Sequence, residues 1–220
     1  MMLNKLIDHT LLKPAASSQD IIGLCKEAID YDFYSVCVNG SFVKTAYHEL
    51  QDTDIKVCAV VGFPLGAMST EVKVFEAKNA IHDGADEIDM VLHIGALKAG
   101  DKDYVLNDIQ KVKAAVGNKV LKVILETCEL TNDQIITACE LCIEADADFV
   151  KTSTGFSSGG ATVEAVRLMK STVGNHAKVK ASGGIRDYET AMKFVHLGVE
   201  RLGVSSGIAI MKGKRSEENY

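Results

Sequence analysis

Lys151 and Lys180 stand one strand–helix unit apart, each inside a short β-rich run, Phe149-Val150-Lys151-Thr152 and Val179-Lys180-Ala181. A neutral lysine amine attacks a carbonyl carbon and condenses to a Schiff base, but an isolated lysine, with a pKa of about 10.4, is almost wholly protonated at pH 7. Two ammonium groups about 5 Å apart repel by roughly 3 kcal/mol at an effective dielectric near 20, about two pKa units, which would bring one of them toward about 8. Asp89, in Glu87-Ile88-Asp89-Met90-Val91, could carry protons or hold Lys180 charged. Lys122 and Glu126 lie in a third run, and Asp8 and Cys37 in two more. The set reads as Schiff-base chemistry.

The elements that must position these residues repeat along the chain. β-Rich runs occur at Ile7–Leu12, Ser35–Asn39, Val57–Gly62, Glu87–Leu92, Leu121–Thr127, Phe149–Ser153, Val179–Gly183 and Arg201–Ser205. Their mean spacing is about 28 residues, the size of one βα unit. Helical patterns fill the gaps. Ser17–Ile29 opens on a serine able to cap it, Glu71–His82 and Tyr104–Val116 carry apolar residues every three or four positions, Thr131 or Asn132 can cap a helix running to Ala145, and Asp187 one over Tyr188–Leu197. Alternation of this kind gives a parallel sheet, and eight units predict a single closed (β/α)₈ TIM barrel. An open doubly wound sheet uses fewer strands and often a GxGxxG turn, which is absent after the early strands. One catalytic domain over residues 1–211 is expected, followed by a polar, mobile tail over 212–220.

Strand parity then decides where the charges point. Side chains alternate across a strand, so the apolar Ile88 and Met90 face the helices while Glu87 and Asp89 face the barrel interior. The same alternation sends Lys122, Glu126, Lys151, Lys180, Asp8 and Cys37 inward. A barrel interior is normally filled by branched apolar residues, and an isolated buried charge costs several kcal/mol or loses its charge. An ion-pair network that only holds the barrel together is the competing reading for any one pair. For the whole set a functional site is the stronger one.

Glycines and serines follow the last strands. Ser182-Gly183-Gly184 comes after the seventh, Ser205-Ser206-Gly207 after the eighth, and Thr154-Gly155 after the sixth. Barrels of this type bind phosphate with the loops after strands seven and eight, where glycine lets backbone N–H groups approach an anion. Each motif alone is weak; two in the right pair of loops beside a reactive lysine point to a phosphate.

Charge and composition exclude other classes. A net charge of −6 does not attract polyanions, so nucleic acid is not an expected partner. The start, MMLNKLIDHTLLKP, lacks a signal-peptide pattern, and the longest apolar stretch, Val57–Leu65, is too short to span a bilayer, so a cytoplasmic protein with no membrane partner is expected. Cys139 and Cys142 form a CxxC inside a helical pattern without a second pair or nearby histidine, which reads as packing and leaves no metal or other cofactor expected.

The chain closely resembles the deoxyribose-phosphate aldolase family in IDHTLLKP (7–14), SVCVN (35–39), VGFPLGA (61–67), GADEIDMV (84–91), IGALK (94–98), LKVILET (121–127), FVKTSTGF (149–156), VKASGGIR (179–186) and GVSSG (203–207). These run in order over nearly the whole length, and FVKTSTGF with VKASGGIR is a specific pair. The resemblance implies reversible cleavage of 2-deoxyribose 5-phosphate to acetaldehyde and glyceraldehyde 3-phosphate. It implies an imine on Lys151, perturbation by Lys180 and proton transfer involving Asp89. It also implies a phosphate site at Gly155, Gly183, Gly184, Ser205 and Ser206, with Asp8, Cys37, Lys122 and Thr152 around the pocket. A terminal tyrosine on a tail that assists proton transfer would be Tyr220. Glu126 belongs to the polar network without a more definite role. His93 stands where an asparagine is common and Asn39-Gly40 replaces the more usual Asn-Pro; the first could alter the pH dependence or the acceptor pocket. A homo-oligomer is expected, a dimer ahead of a tetramer. Another Schiff-base aldolase or transaldolase, a phosphosugar isomerase, and a non-catalytic sugar-phosphate-binding barrel remain the alternatives.

Overall fold

Eight short strands pair in sequence order and close on themselves, every neighbour parallel. The computed structural model describes residues 2–216. The strands are β1 (Ile7–Leu11), β2 (Ser35–Val38), β3 (Lys56–Val61), β4 (Glu87–Val91), β5 (Val120–Ile124), β6 (Phe149–Lys151), β7 (Lys178–Ser182) and β8 (Arg201–Val204). Closure is made by β1 on β8, with Asp8 opposite Gly203. The expected (β/α)₈ barrel is the observed fold.

The helices are α1 (Ser18–Asp30), α2 (Val43–Leu50), α3 (Thr70–His82), α4 (Ile94–Lys98), α5 (Lys102–Val116), α6 (Asn132–Glu144), α7 (Val163–Val173), α8 (Tyr188–His196) and α9 (Gly207–Met211). Their starts follow from local chemistry. Ser17 and Asp20 form a reciprocal capping box on α1, as Thr131 and Gln134 do on α6, while Asp101, Thr162 and Asp187 accept the orphan N–H groups of α5, α7 and α8. Each such cap stabilises its helix by about 1 kcal/mol. Cys139 and Cys142 are buried, unbridged side chains on the core face of α6.

One parity of every strand packs outward against the helices. Val36, Ala59, Ile88, Met90, Leu121, Val123, Val150, Val179 and Leu202 join Ile21, Ile109, Val112, Ile135, Val166 and Met169 in a single buried cluster. The other parity faces the barrel axis. Its apolar residues are Leu12, Cys37, Cys58 and Val60 with Phe63 against them on the β1–β3 side, and the buried Val91, Ile124 and Phe149 on β4 to β6. Between these the interior is ionic. Beyond α9 the described chain runs to Ser216, whose N–H bonds the carbonyl of Arg186 at 3.0 Å. Among the described residues no helix is long and apolar enough to cross a membrane.

Candidate active site

The strand register brings the inward charges together. Asp89 pairs across to Lys122, Lys151 to Lys180, and Lys180 to Arg201. Asp89 is the centre of the cluster. Its Oδ2 accepts from Lys151 Nζ and Lys180 Nζ, both at 2.8 Å, and its Oδ1 accepts from Lys122 Nζ at 2.7 Å and from the Cys58 thiol at 3.1 Å. Lys180 also donates to Asp8, which in turn accepts from Arg201. Glu87 accepts from Lys122 at 2.6 Å and from Arg201 at 2.7 Å, closing the network at the lower layer. The Arg201 guanidinium lies 3.3 Å over the Tyr34 ring.

Burial of so many charges is tolerable only because each finds a partner. Burial alone would raise the Asp89 carboxyl, but Lys122, Lys151 and Lys180 outweigh it and hold that carboxyl well below the usual carboxylate range. Burial pulls Lys180 downward, and Asp8 with Asp89 more than reverse this, so Lys180 sits above the ordinary lysine value. Lys122 is raised in the same way, chiefly by Asp89. Mutual repulsion of Lys151 and Lys180, expected from their spacing, is therefore not what governs Lys180: the Asp89 carboxylate stands between the two ammonium groups, and Asp8 is a second partner of Lys180. Asp89 is a carboxylate hub shared by three amines, and Asp8 with Asp89 favours the charged form of Lys180.

Lys151 differs from its neighbours. Lys122 bonds Glu87 and Asp89, and Lys180 bonds Asp8 and Asp89, whereas among the described residues Lys151 meets a single carboxylate through an oxygen it shares. Lys122 and Lys180 are sealed at 0% exposure while Lys151 keeps 3%. Of these three lysines it is the one whose side chain keeps any solvent-exposed surface. A metal is disfavoured here on the chemistry of the donors. Cys37, Cys58 and Asp89 offer ligand atoms within 4.8 Å of one another, but the Lys122 ammonium already lies 3.4 Å from Cys58 Sγ and 2.7 Å from Asp89 Oδ1.

Above this layer the loops after β6, β7 and β8 are tied together. Thr152 donates its hydroxyl to the Ser182 carbonyl at 2.9 Å and accepts from the Ser182 N–H at 3.0 Å, so it clamps β6 to β7 and its hydroxyl is spent there. Ala161 N–H bonds the carbonyl of Gly183 at 3.0 Å, and a Cβ on Gly183 would come within 2.9 Å of Gly160 Cα, so these backbones meet only as glycines. Gly155, Gly183 and Gly184 all have positive φ, and the space over Gly184 is open. Ser206 donates to the Ile185 carbonyl at 3.0 Å, joining the β8 loop to the β7 loop, and Ser205 is exposed. A cavity of about 610 Å³ opens beside Ser205 and Ser206, with Lys13, Lys212 and Lys214 in its walls; Lys151, Lys180 and Asp89 do not line it. His93 caps α4, accepting the Ala96 N–H at 3.1 Å. Tyr220 lies outside the described residues.

Arg201 and Cys58 belong to the ionic layer and escape a reading of the sequence that looks for reactive residues alone. Parity would have found Arg201, since Leu202 and Val204 face the helices. Cys58 would have followed from its pairing opposite Cys37.

Residues 2–213 match the DeoC/LacD family aldolase pattern. A deoxyribose-phosphate aldolase of Streptococcus gordonii is 58% identical over 220 residues, covering all of both chains, and one of Thermococcus gammatolerans is 57% identical over 222, covering 99% of each. Among solved structures, an aldolase named QR15 superposes with a TM-score of 0.92 at 45% identity, covering 96% of this chain and 94% of that one. A tetrameric deoxyribose phosphate aldolase from Aeropyrum pernix gives 0.87 at 32% identity, covering 96% and 89%. Matched by the family pattern over residues 2–213 and by relatives over nearly its whole length, the chain belongs to the DeoC/LacD family of aldolases.

Proposed function

We propose that this aldolase reversibly cleaves 2-deoxy-D-ribose 5-phosphate to acetaldehyde and D-glyceraldehyde 3-phosphate through an imine on Lys151. The observation that carries the reading is the placement of Lys151, whose side chain is barely open to solvent and whose Nζ lies 2.8 Å from a carboxylate oxygen that Lys180 also holds. Neutral Lys151 attacks C1 of the open-chain sugar and expels water. The protonated imine draws electrons as the C2–C3 bond breaks and the C3 hydroxyl gives up its proton, leaving an enamine and free glyceraldehyde 3-phosphate. A proton returns to C2, and water hydrolyses the imine to acetaldehyde. Asp89, Lys180 and bound water form the proton route, with Tyr220 as a further participant. The nitrogen itself is the electron sink, so the scheme calls on no cofactor. Gly155, Gly183, Gly184, Ser205 and Ser206 receive the phosphate through backbone N–H groups and the exposed Ser205 hydroxyl.

The same proposal takes the enzyme to be a cytoplasmic homodimer, which light scattering on the purified protein tests against the tetramer of the Aeropyrum relative. The activity is tested by following aldehyde release from 2-deoxyribose 5-phosphate and, in the reverse sense, by offering acetaldehyde and a hydroxylated ketone together as donors. Preference for acetaldehyde is the expected result. Preference for the ketone would move the protein to the transaldolase type of chemistry, and isomerisation without cleavage would remove the covalent step.

A further inference from the structure

Glu126 stands where β5 should continue and does not. Its backbone is left-handed, φ 57° and ψ 62°, a conformation that a non-glycine residue adopts only when its surroundings impose it. On either side, Leu125 N–H bonds the Lys151 carbonyl and Thr127 N–H bonds the next carbonyl, that of Thr152, both at 2.9 Å. Two residues advance along one edge while the other advances by one, so Glu126 is the extra residue of a bulge. Such a bulge re-aims a side chain beside a site.

The re-aimed carboxylate is buried at 3% exposure; apart from a long contact from the Cys128 thiol at 4.0 Å, its bonds go to Thr154. Oε1 accepts the Thr154 N–H at 3.2 Å and Oε2 accepts the Thr154 hydroxyl; the oxygen of that hydroxyl accepts the Phe156 N–H at 3.0 Å. One carboxylate thereby fixes Thr154, Gly155 and Phe156, with Gly155 at φ 89° at the crown. Glu126, Thr154 and Phe156 also line a cavity of about 270 Å³ bounded on its far side by Pro64, Leu65 and Ile94. Burial holds the Glu126 carboxyl above the ordinary glutamate value, against the pull of the Thr154 hydrogen bonds and of Lys151.

We propose that Glu126 is a positioning residue for substrate, whose carboxylate sets the Thr154–Gly155–Phe156 loop in the conformation that receives the phosphate end of the sugar. This rests on the aldolase reading given above. The loop begins three residues beyond Lys151, so its shape governs how the phosphate anchors the chain while C1 lies at that lysine. A residue acting this way separates phosphorylated from unphosphorylated sugars, whereas a proton donor or a purely structural residue affects both alike.

The test compares cleavage of 2-deoxyribose 5-phosphate and of 2-deoxyribose by wild type, Glu126→Gln and Thr154→Val, with inorganic phosphate as a competing ligand. Glu126→Gln is expected to raise KM for the phosphorylated sugar, and Ki for phosphate, by about tenfold, the scale of one hydrogen bond to a charged group. kcat/KM for the unphosphorylated sugar is expected to stay within about twofold. Thr154→Val leaves the carboxylate in place and carries the same selective loss, which keeps the test decisive if Glu126→Gln does not fold. An equal fall on both sugars in an active background overturns the inference alone. A wild type idle on both sugars overturns the aldolase reading and this inference with it.

Discussion

Lys151 and Lys180 donate to the same oxygen, Asp89 Oδ2, at 2.8 Å each. The amine proposed to form the imine and its neighbour Lys180 are thus held by one shared acceptor atom. Asp89 is held in place from behind by Lys122 and Cys58 on its second oxygen. The geometry at the reacting nitrogen is therefore a property of the whole ionic layer.

Replacing Asp89 by Asn keeps the shape and turns one acceptor into a donor facing a lysine. The variant is expected to lose about 10²-fold or more in kcat, as for removal of a proton-transfer partner. It is also expected to lose about 3–5 kcal/mol of stability from the unpaired buried cations, or roughly 10 °C in melting temperature for a chain of this size. Steady-state kinetics beside a thermal melt read both. A variant with unchanged kcat would remove Asp89 from the proton route.

Lys180→Met leaves Asp8 to Arg201 and Asp89 to Lys122 and Lys151. Each carboxylate keeps a partner, so the protein is expected to fold while kcat drops by about 10²-fold or more with little change in KM. Parallel changes in kcat and KM, with a collapsed melt, would show instead that Lys180 only supports the barrel.

Stability against pH follows from the direction of the shifts. Asp89 and Asp8 are lowered on folding, so their contribution is full above the unfolded carboxylate value of about 3.9 and is lost as pH falls through the folded values. Lys122 and Lys180 are raised, so theirs is full below the unfolded lysine value of about 10.4 and is lost as pH rises through the folded ones. Urea midpoints should form a plateau between about pH 5 and pH 9 as far as this layer is concerned, falling on both sides. A midpoint that dropped steeply inside that range, and did so less in Asp89→Asn, would contradict the assignment.

Arg201→Leu separates support from chemistry. It strips Asp8 and Glu87 of a shared partner and leaves the Tyr34 ring uncovered, yet the residues that bond Lys151 are untouched. About 3–5 kcal/mol of stability should go, measured by urea unfolding, while the folded fraction retains imine formation. Loss of imine formation in well-folded Arg201→Leu would extend the reacting site to the lower layer.

Much of this was legible in the sequence because both relevant periods are short. Alternation along Glu87–Val91 alone assigns Asp89 to the interior and Ile88 and Met90 to the helices, and the register of a closed barrel then sets Lys151 beside Lys180. What parity does not give is distance between strands that are not neighbours. Asp89 on β4 reaches Lys151 on β6 and Lys180 on β7 across the axis, so the sequence suggested two repelling cations where the fold has a carboxylate between them. Strand ends were also hidden. The run Leu121–Thr127 reads as continuous β structure, but the left-handed Glu126 ends β5 at Ile124, and no local composition announces that turn.

The central claim is an imine on Lys151, and reduction with borohydride in the presence of acetaldehyde, followed by peptide mass spectrometry, tests it most directly. A single ethyl adduct on the peptide carrying Lys151, absent from Lys151→Ala, is the expected result. Protein that binds 2-deoxyribose 5-phosphate but yields no adduct, or an adduct on Lys180 in its place, would contradict the account.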